Sequence, residues 1–157
     1  MNIHKAAIND QEKIAQCHRA SIKILCQNDY NKNEIQNWLD VIQPYIYKNA
    51  IEKKLLLIAE ENDEILGFGI LDIANQELNA LYIHPEHTNK GIAKNILAKF
   101  ESIMLEKNAE ILKLCSTLTA FGFYKHHGYI EADRPFHILS NGTKLTCIKM
   151  YKKLKDR

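Results

Sequence analysis

The feature that most constrains this chain is a strand-length apolar run, Glu77 to His84, followed by helical periodicity and then a second such run. From Gly91 to Lys107 the apolar residues Ile92, Ile96, Leu97, Phe100, Ile103 and Met104 recur at helical spacing, with lysines and glutamates between them. Glu110 to Cys115 is strand-like again. A strand, a helix of about four turns and a strand form a crossover, right-handed by rule, that leaves the two strands parallel. A chain built round that unit lays helices on a sheet.

The other segments extend the sheet. Ile3 to Ile8 reads as a first strand, and Asn9 with Glu12 has the spacing of a capping box that opens a helix. Ile14, Cys17, His18, Ser21, Ile22 and Leu25 give that helix its buried face. A second Asn-x-x-Glu, Asn31 to Glu34, opens another helix, whose stripe is Ile35, Trp38, Leu39 and Ile42 and whose limit is Pro44. Lys54 to Glu60 and Ile65 to Ile73, joined by Glu61-Asn62-Asp63-Glu64, form an antiparallel meander with Glu77 to His84. Thr117 caps a short helix that ends near Gly128, and strands Tyr129 to Asp133 and Thr143 to Lys152 flank a turn at Asn141-Gly142. All 157 residues fit one domain, 1–157, of a size that buries about 70% of its unfolded surface.

Composition narrows the function by exclusion. A formal charge of +2 with scattered lysines does not describe a nucleic-acid binder. The longest apolar run, Leu55 to Ala59, is too short for a membrane span, and "MNIHKAAIND" lacks a signal core; a cytoplasmic protein without a membrane partner is expected. Cys17, Cys26, Cys115 and Cys147 form no C-x-x-C pair and lie among apolar neighbours, so buried reduced thiols and no metal are expected. Pro85 is expected to keep the His84 and His87 rings from one point.

Ligands of such sheets bind outside the carboxyl ends of parallel strands, here at His84 to Lys94 and Cys115 to Thr117. In "HTNKGIAK" a strand hands over to a helix whose first N–H groups lack partners and favour an anion. Gly91 lets a phosphate approach the main chain, Ala93 keeps the next turn thin, and Lys90 and Lys94 add positive charge. A glycine there also serves the turn itself.

The run "LYIHPEHTNKGIAKNILAKFE" resembles the acetyl-CoA-binding motif of the GNAT superfamily of N-acetyltransferases, Gln/Arg-x-x-Gly-x-Gly/Ala, as Thr88-Asn89-Lys90-Gly91-Ile92-Ala93. Thr88 replaces the usual Gln or Arg. Downstream, "CSTLTAFGFYKHHGYIEAD" is similar to a second family segment, with Ser116, Thr117, Ala120, Phe123, Tyr124, Gly128 and Tyr129 in register. The resemblance implies an α/β, GNAT-like acyl-CoA N-acyltransferase fold. It has about seven strands, antiparallel with a central parallel pair, and four flanking helices.

It also implies the site. The strand Glu77 to His84 would be bulged near its end, with main-chain N–H groups around Leu81, Tyr82 and Ile83 facing acetyl-CoA, the cosubstrate. Thr88 to Lys94, Ser116, Thr117, Ala120 and Phe123 would hold the rest of that carrier. Tyr124 matches the tyrosine that protonates the leaving thiolate; a phenol with pKa about 10 is protonated at neutral pH. Glu77, six residues before Ile83, matches a glutamate that acts as base, and it also reads as a charge starting a strand edge. His84 and His137 are the spare candidates for that role, histidine being the usual side chain for proton transfer near neutral pH. Trp38 and Tyr30, with Tyr45 and Tyr47, would wall the side where a small-molecule or peptide amine enters. The implied activity is acetyl transfer to a primary amine by direct attack. An acyl-CoA-binding sensor without turnover is the alternative, and the last strand offers an edge for a homodimer.

Overall fold

The computed structural model describes residues 1–155. Local chemistry sets many of its element boundaries. Strands β2 (Leu56–Glu61) and β3 (Glu64–Asp72) are joined through Asn62 and Asp63 at φ 53° and 63°. Those left-handed values suit a two-residue hairpin loop, and Asn and Asp tolerate them best among residues with side chains. Helix α2 (Lys32–Asp40) opens on the expected capping box: Asn31 Oδ1 accepts from the Glu34 N–H at 2.8 Å, and Glu34 Oε1 accepts from the Asn31 N–H at 2.9 Å.

The first helix starts differently. Asp10 Oδ2, a charged acceptor, takes the Ala7 N–H at 2.8 Å and tightens Ile8–Asp10 into a 3-10 turn. The Asn9–Glu12 box is therefore not used; β1 is Asn2–Lys5 and α1 is Gln11–Leu25. Pro44 ends the region of α2 as expected but opens a 3-10 turn, Pro44–Tyr47, that runs into α3, Lys48–Glu52. With α4 (Ile92–Glu106) and α5 (Phe121–His126) the described residues hold five α-helices rather than four. A five-residue helix is too short to show a period.

The main sheet has seven strands in the order β1-β2-β3-β4-β5-β9-β6, with β4 (Glu77–Ile83) and β5 (Ile111–Ser116) its parallel pair. The run Thr143 to Lys152 is not one strand. Lys144–Thr146 (β8) turns back on β7 (Phe136–Ile138) through Asn141-Gly142. Ile148–Lys153 (β9) instead inserts between β5 and β6 (Ile130–Asp133). Cys147 divides the two, its N–H turned to the Pro135 carbonyl at 3.2 Å. No helix among the described residues is long and apolar enough to cross a membrane.

Each face of the sheet carries its own core. Ile14, Ile22, Trp38, Ile58 and Phe68 pack under α1 and α2, and Ile96, Phe100, Leu112, Leu114 and Tyr124 pack under α4 and α5. Helix α4 sits close because Gly69 offers no side chain; a Cβ there would meet Phe100 Cε2 at 2.6 Å and the Ala80 carbonyl at 3.2 Å. Overpacking of this kind costs about 1–3 kcal/mol, so Gly69→Ala should lose that much in urea unfolding with an unchanged m-value.

His18 is buried between the α1 face and the sheet, its Nδ1 2.8 Å from the Tyr47 hydroxyl and its Nε2 without a partner. Burial lowers its pKa to about 3 from 6.5. The unfolded chain therefore binds the proton first, so stability is full above pH 6.5 and declines as pH falls from there toward 3. His4, raised by the Lys5 carbonyl and Glu60, acts in the opposite sense. Unfolding free energy should drop by about 1 kcal/mol per pH unit below pH 6, and His18→Gln should flatten that slope.

Candidate active site

The pairing of β4 with β5 covers Glu77 opposite Lys113 and Leu78 opposite Leu114, and then stops. The cause lies in β4 itself. Ile70 pairs with Ala80 and Leu71 with Leu78, so Asn79 is an extra residue, a bulge. The bulge falls near the start of the strand, not near its end as the resemblance implied. It bends β4 away from β5 and resets the alternation, so that Leu81 and Ile83 join Leu78 on the α4 face while Ala80 and Tyr82 turn to the α1 face. Beyond Leu78 the edge of β4 that faces β5 has no strand partner.

Between the start of α4 and the end of α1 the splay opens a cavity of ≈ 680 Å³. Its walls include Leu81, Tyr82 and Ile83 of β4, Gly91 to Lys94 at the start of α4, and Thr117, Ala120, Phe123 and Tyr124 around α5. Gly91 is the N-cap of α4 at φ 79°, with nothing within 4 Å of where its Cβ would stand. Its absent side chain thus serves both the turn and the space in front of the free amides. Lys94, His87, His126 and His127 lie on the wall, and no carboxylate is among its lining residues. Burial, with His126 and Lys94 nearby, lowers the His127 pKa.

A slot of ≈ 30 Å³, lined by Leu78 to Tyr82, Cys115, Thr117, Ala120 and Tyr124, leads through the splay. Beyond it a pocket of ≈ 340 Å³ is lined by Tyr30, Trp38, Glu77, Asn79, Cys115, His137, Thr146 and Cys147, among others. Glu77 is the one carboxylate in that lining. Tyr124 borders both cavity and slot, is 5% exposed, and has its pKa raised by burial alone. The Tyr30 hydroxyl donates to the Thr146 carbonyl at 2.8 Å and accepts from the Leu118 N–H at 3.0 Å, and its ring meets Trp38 edge-on at 5.3 Å. Tyr30 thereby ties the hairpin and the β5–α5 loop to α2.

Most of the residues singled out from the sequence converge here, with exceptions. Lys90 leaves the cavity because its Nζ donates to His87 Nδ1 at 3.1 Å, while His87 Nε2 meets Glu64 at 3.0 Å. Ser116 is buried and donates to the Thr117 carbonyl at 2.7 Å. Thr88 is on the wall, its hydroxyl directed to the Pro85 carbonyl at 3.4 Å. Thr117 Oγ1 accepts from the Ala120 N–H at 3.1 Å, as a cap for the turn before α5. Tyr45 is 72% exposed and Tyr47 is core, so neither lines the ≈ 340 Å³ pocket, where the resemblance would have the amine enter. His137 reaches that pocket; His84 lies elsewhere, beside Cys17 and Glu64.

Two expectations fail on geometry. Pro85 does not separate His84 from His87: it starts a 3-10 turn that brings the rings to 5.6 Å, and with Glu86 their ligating atoms lie within 4.8 Å. Cys115 is exposed rather than buried, because β5 turns Leu112, Leu114 and Ser116 inward and Cys115 the other way. Sequence reasoning also missed Ser21, Leu25 and Cys26 of α1 on the cavity wall. Their helical spacing had assigned Ser21 and Leu25 to the core alone.

The family described as "Acetyltransferase (GNAT) domain" matches residues 26–153. A spermidine N(1)-acetyltransferase of Thermoplasma acidophilum is 28% identical over 145 residues, covering 85% of this chain and 90% of that protein. The crystal structure of the PaiA N-acetyltransferase of the same organism, in complex with coenzyme A, superposes with a TM-score of 0.79 at 26% identity, covering 97% and 98% of the two chains. A GCN5-related N-acetyltransferase of Rhodopseudomonas palustris shares the fold at a TM-score of 0.89, 22% identity and coverage of 97% and 94%. The chain belongs to the GNAT family of acetyltransferases. Its activity is acetyl transfer from acetyl-CoA.

The two uses of Gly91 are separable. Gly91→Ala should lose about 1–2 kcal/mol from the left-handed backbone, read by urea unfolding. Gly91→Asn should keep most of the stability, since Asn tolerates that conformation. Both place a Cβ before the amides, so both should weaken coenzyme A binding in calorimetry.

Proposed function

We propose that this chain moves the acetyl group directly to a primary amine of a flexible aliphatic polyamine, with residues 1–157 working as one domain. The observation that carries this reading is the slot at Tyr124, where a cavity free of lining carboxylates meets a pocket holding Glu77. The amides at the start of α4, with Thr88, Asn89 and Lys94, would hold the diphosphate of the carrier. The unpaired edge of β4 from Leu81 to Ile83 would take its amide-bearing arm as an added strand, and one N–H there would polarise the thioester oxygen.

An amine with pKa near 10 arrives protonated. Glu77, directly or through a water, takes that proton; the free amine then attacks the thioester carbon from the acceptor side. The Tyr124 hydroxyl gives its proton to the departing thiolate. Burial keeps this phenol neutral well into alkaline pH, so the donor stays loaded. The rings of Trp38 and Tyr30 offer apolar wall for methylene groups. Similarity to a protein named spermidine N(1)-acetyltransferase supports the same acceptor class.

Release of coenzyme A thiol over a panel of spermidine, an aminoglycoside and a peptide with a free N-terminus tests the acceptor: spermidine should give the highest kcat/KM, and a peptide preferred over it would overturn the assignment. Tyr124→Phe should lower kcat by about 10²-fold, by the same factor from pH 7 to pH 10. Glu77→Gln should lose about as much at pH 7, but its deficit should shrink as the amine deprotonates on its own. A Glu77→Gln deficit that is flat with pH would remove Glu77 as the base.

A further inference from the structure

Cys115 on β5 stands opposite Lys149 of β9, and Ser116 stands opposite Ile148. Strand alternation turns Cys115 and Cys147 to the same side of the sheet as a diagonal pair. Their Sγ atoms are 2.9 Å apart, and both residues line the acceptor pocket. Cys115 is exposed and Cys147 is buried. Burial, with the contact to Cys115, pushes the Cys147 thiol up to about 12. The pair thus has the division of labour that thiol exchange requires: one accessible sulfur to react first and one sheltered sulfur in reach to finish.

Cys147 also occupies a mechanical position. The β7–β8 hairpin forms a sheet of its own, with no ladder to the seven-stranded sheet. Polar contacts hold it to α2 and the segment just before it: Tyr30 Oη donates to the Thr146 carbonyl, and Asn141 Nδ2 donates to the Asn37 carbonyl at 2.9 Å. The hairpin supplies His137, Leu145 and Thr146 to the acceptor pocket, and Cys147 follows at its base. A covalent bond from Cys147 to Cys115 would fasten that base to β5.

We propose that Cys115 and Cys147 are a modification site: a low-molecular-weight disulfide converts them reversibly into an internal disulfide that staples the acceptor-side hairpin to the sheet. Cys115 Sγ, as thiolate, attacks one sulfur of the small disulfide R–S–S–R. That bond breaks, and its electron pair leaves with R–S⁻, which takes up the proton Cys115 released. Cys147 Sγ then attacks the Cys115 sulfur of the mixed disulfide, and its proton goes to the second departing R–S⁻. Two protein thiols lose two electrons in all, and one small disulfide becomes two small thiols. A stapled wall adjusts less to a long amine, so the acceptor KM rises. The cavity of ≈ 680 Å³ contains neither cysteine and is left as it was. Only this kinetic consequence rests on the acceptor side proposed above; the bond is read by mass.

The test equilibrates the full chain in mixtures of oxidised and reduced glutathione, alkylates the remaining thiols, and reads intact mass, peptide maps and kinetics. The expected oxidised species is lighter by two hydrogen atoms before alkylation, takes up two fewer alkyl groups than the reduced chain after it, and yields the peptides of Cys115 and Cys147 joined. Its KM for spermidine is several-fold higher, its KM for acetyl-CoA is unchanged, and dithiothreitol reverses the change. Cys147→Ser should instead keep glutathione on Cys115. Stable adducts on both cysteines, or no reaction in the folded protein, would overturn the site. A mapped bond with an unchanged acceptor KM, or the same rise in KM in Cys115→Ser, would overturn the staple. Should none of the amines be acetylated, the mass of the oxidised species still decides whether the bond forms.

Discussion

The structure depends on a strand pairing that is begun and then abandoned. β4 and β5 share two register positions and part after Leu78, where Asn79 bulges. Main-chain N–H and C=O groups are costly to leave unpaired away from water. The edge that β5 leaves open beyond Leu78 is the one that, in the proposed function, the amide-bearing arm of the carrier would pair with. Asn79 also sets the phase of the side chains beyond it, so Leu81 and Ile83 pack toward α4 while Tyr82 lies against His18 at 4.2 Å between ring centroids. One inserted residue thus opens the cleft and anchors the two faces of its β4 lip in separate cores.

Charge then distinguishes the two sides of that cleft. The large cavity gathers Lys94, three histidines and the free amides of a fifteen-residue helix, with no acid in its lining. The pocket beyond the slot holds Glu77 and no lysine or arginine in its lining. Lys90, which from the sequence alone adds to the positive field, is drawn off by the Lys90–His87–Glu64 chain. The cradle therefore relies on main-chain dipoles and Lys94 more than on a cluster of side chains. In the proposed function a polyanionic carrier would take the first lining and a cationic amine the second.

What the sequence shows of this follows range. The Asn31 capping box, the loop at Glu61 to Glu64 and the Gly91 turn are each written within a few neighbouring residues, the crossover in three successive periodic runs, and all stand close to where expected. The Asn79 bulge is not local: "ELNALYI" alternates no more clearly with the bulge than without it, and only the register against β3 reveals the extra residue. The first capping box went to a competitor one residue away, since the Asp10 carboxylate reached the Ala7 N–H. Cys147 reads as mid-strand until β7 is known to draw Lys144–Thr146 away. The exposure of Cys115 and the convergence of His84 with His87 likewise depend on which face of an element looks at which neighbour.

The proton traffic of the proposed reaction explains why its two groups belong on opposite sides of the slot. A carboxylate beside the departing thiolate would oppose the charge that develops there, whereas a buried neutral phenol loses its proton only as that charge forms. A phenol beside the incoming ammonium would be useless as a base for the same reason. Burial at Tyr124 raises its pKa in a region whose lining contains no carboxylate, and Glu77 stays half-buried at the mouth of β4. In the proposed reaction the splay that admits the carrier would also set the acid and the base on either side of the slot.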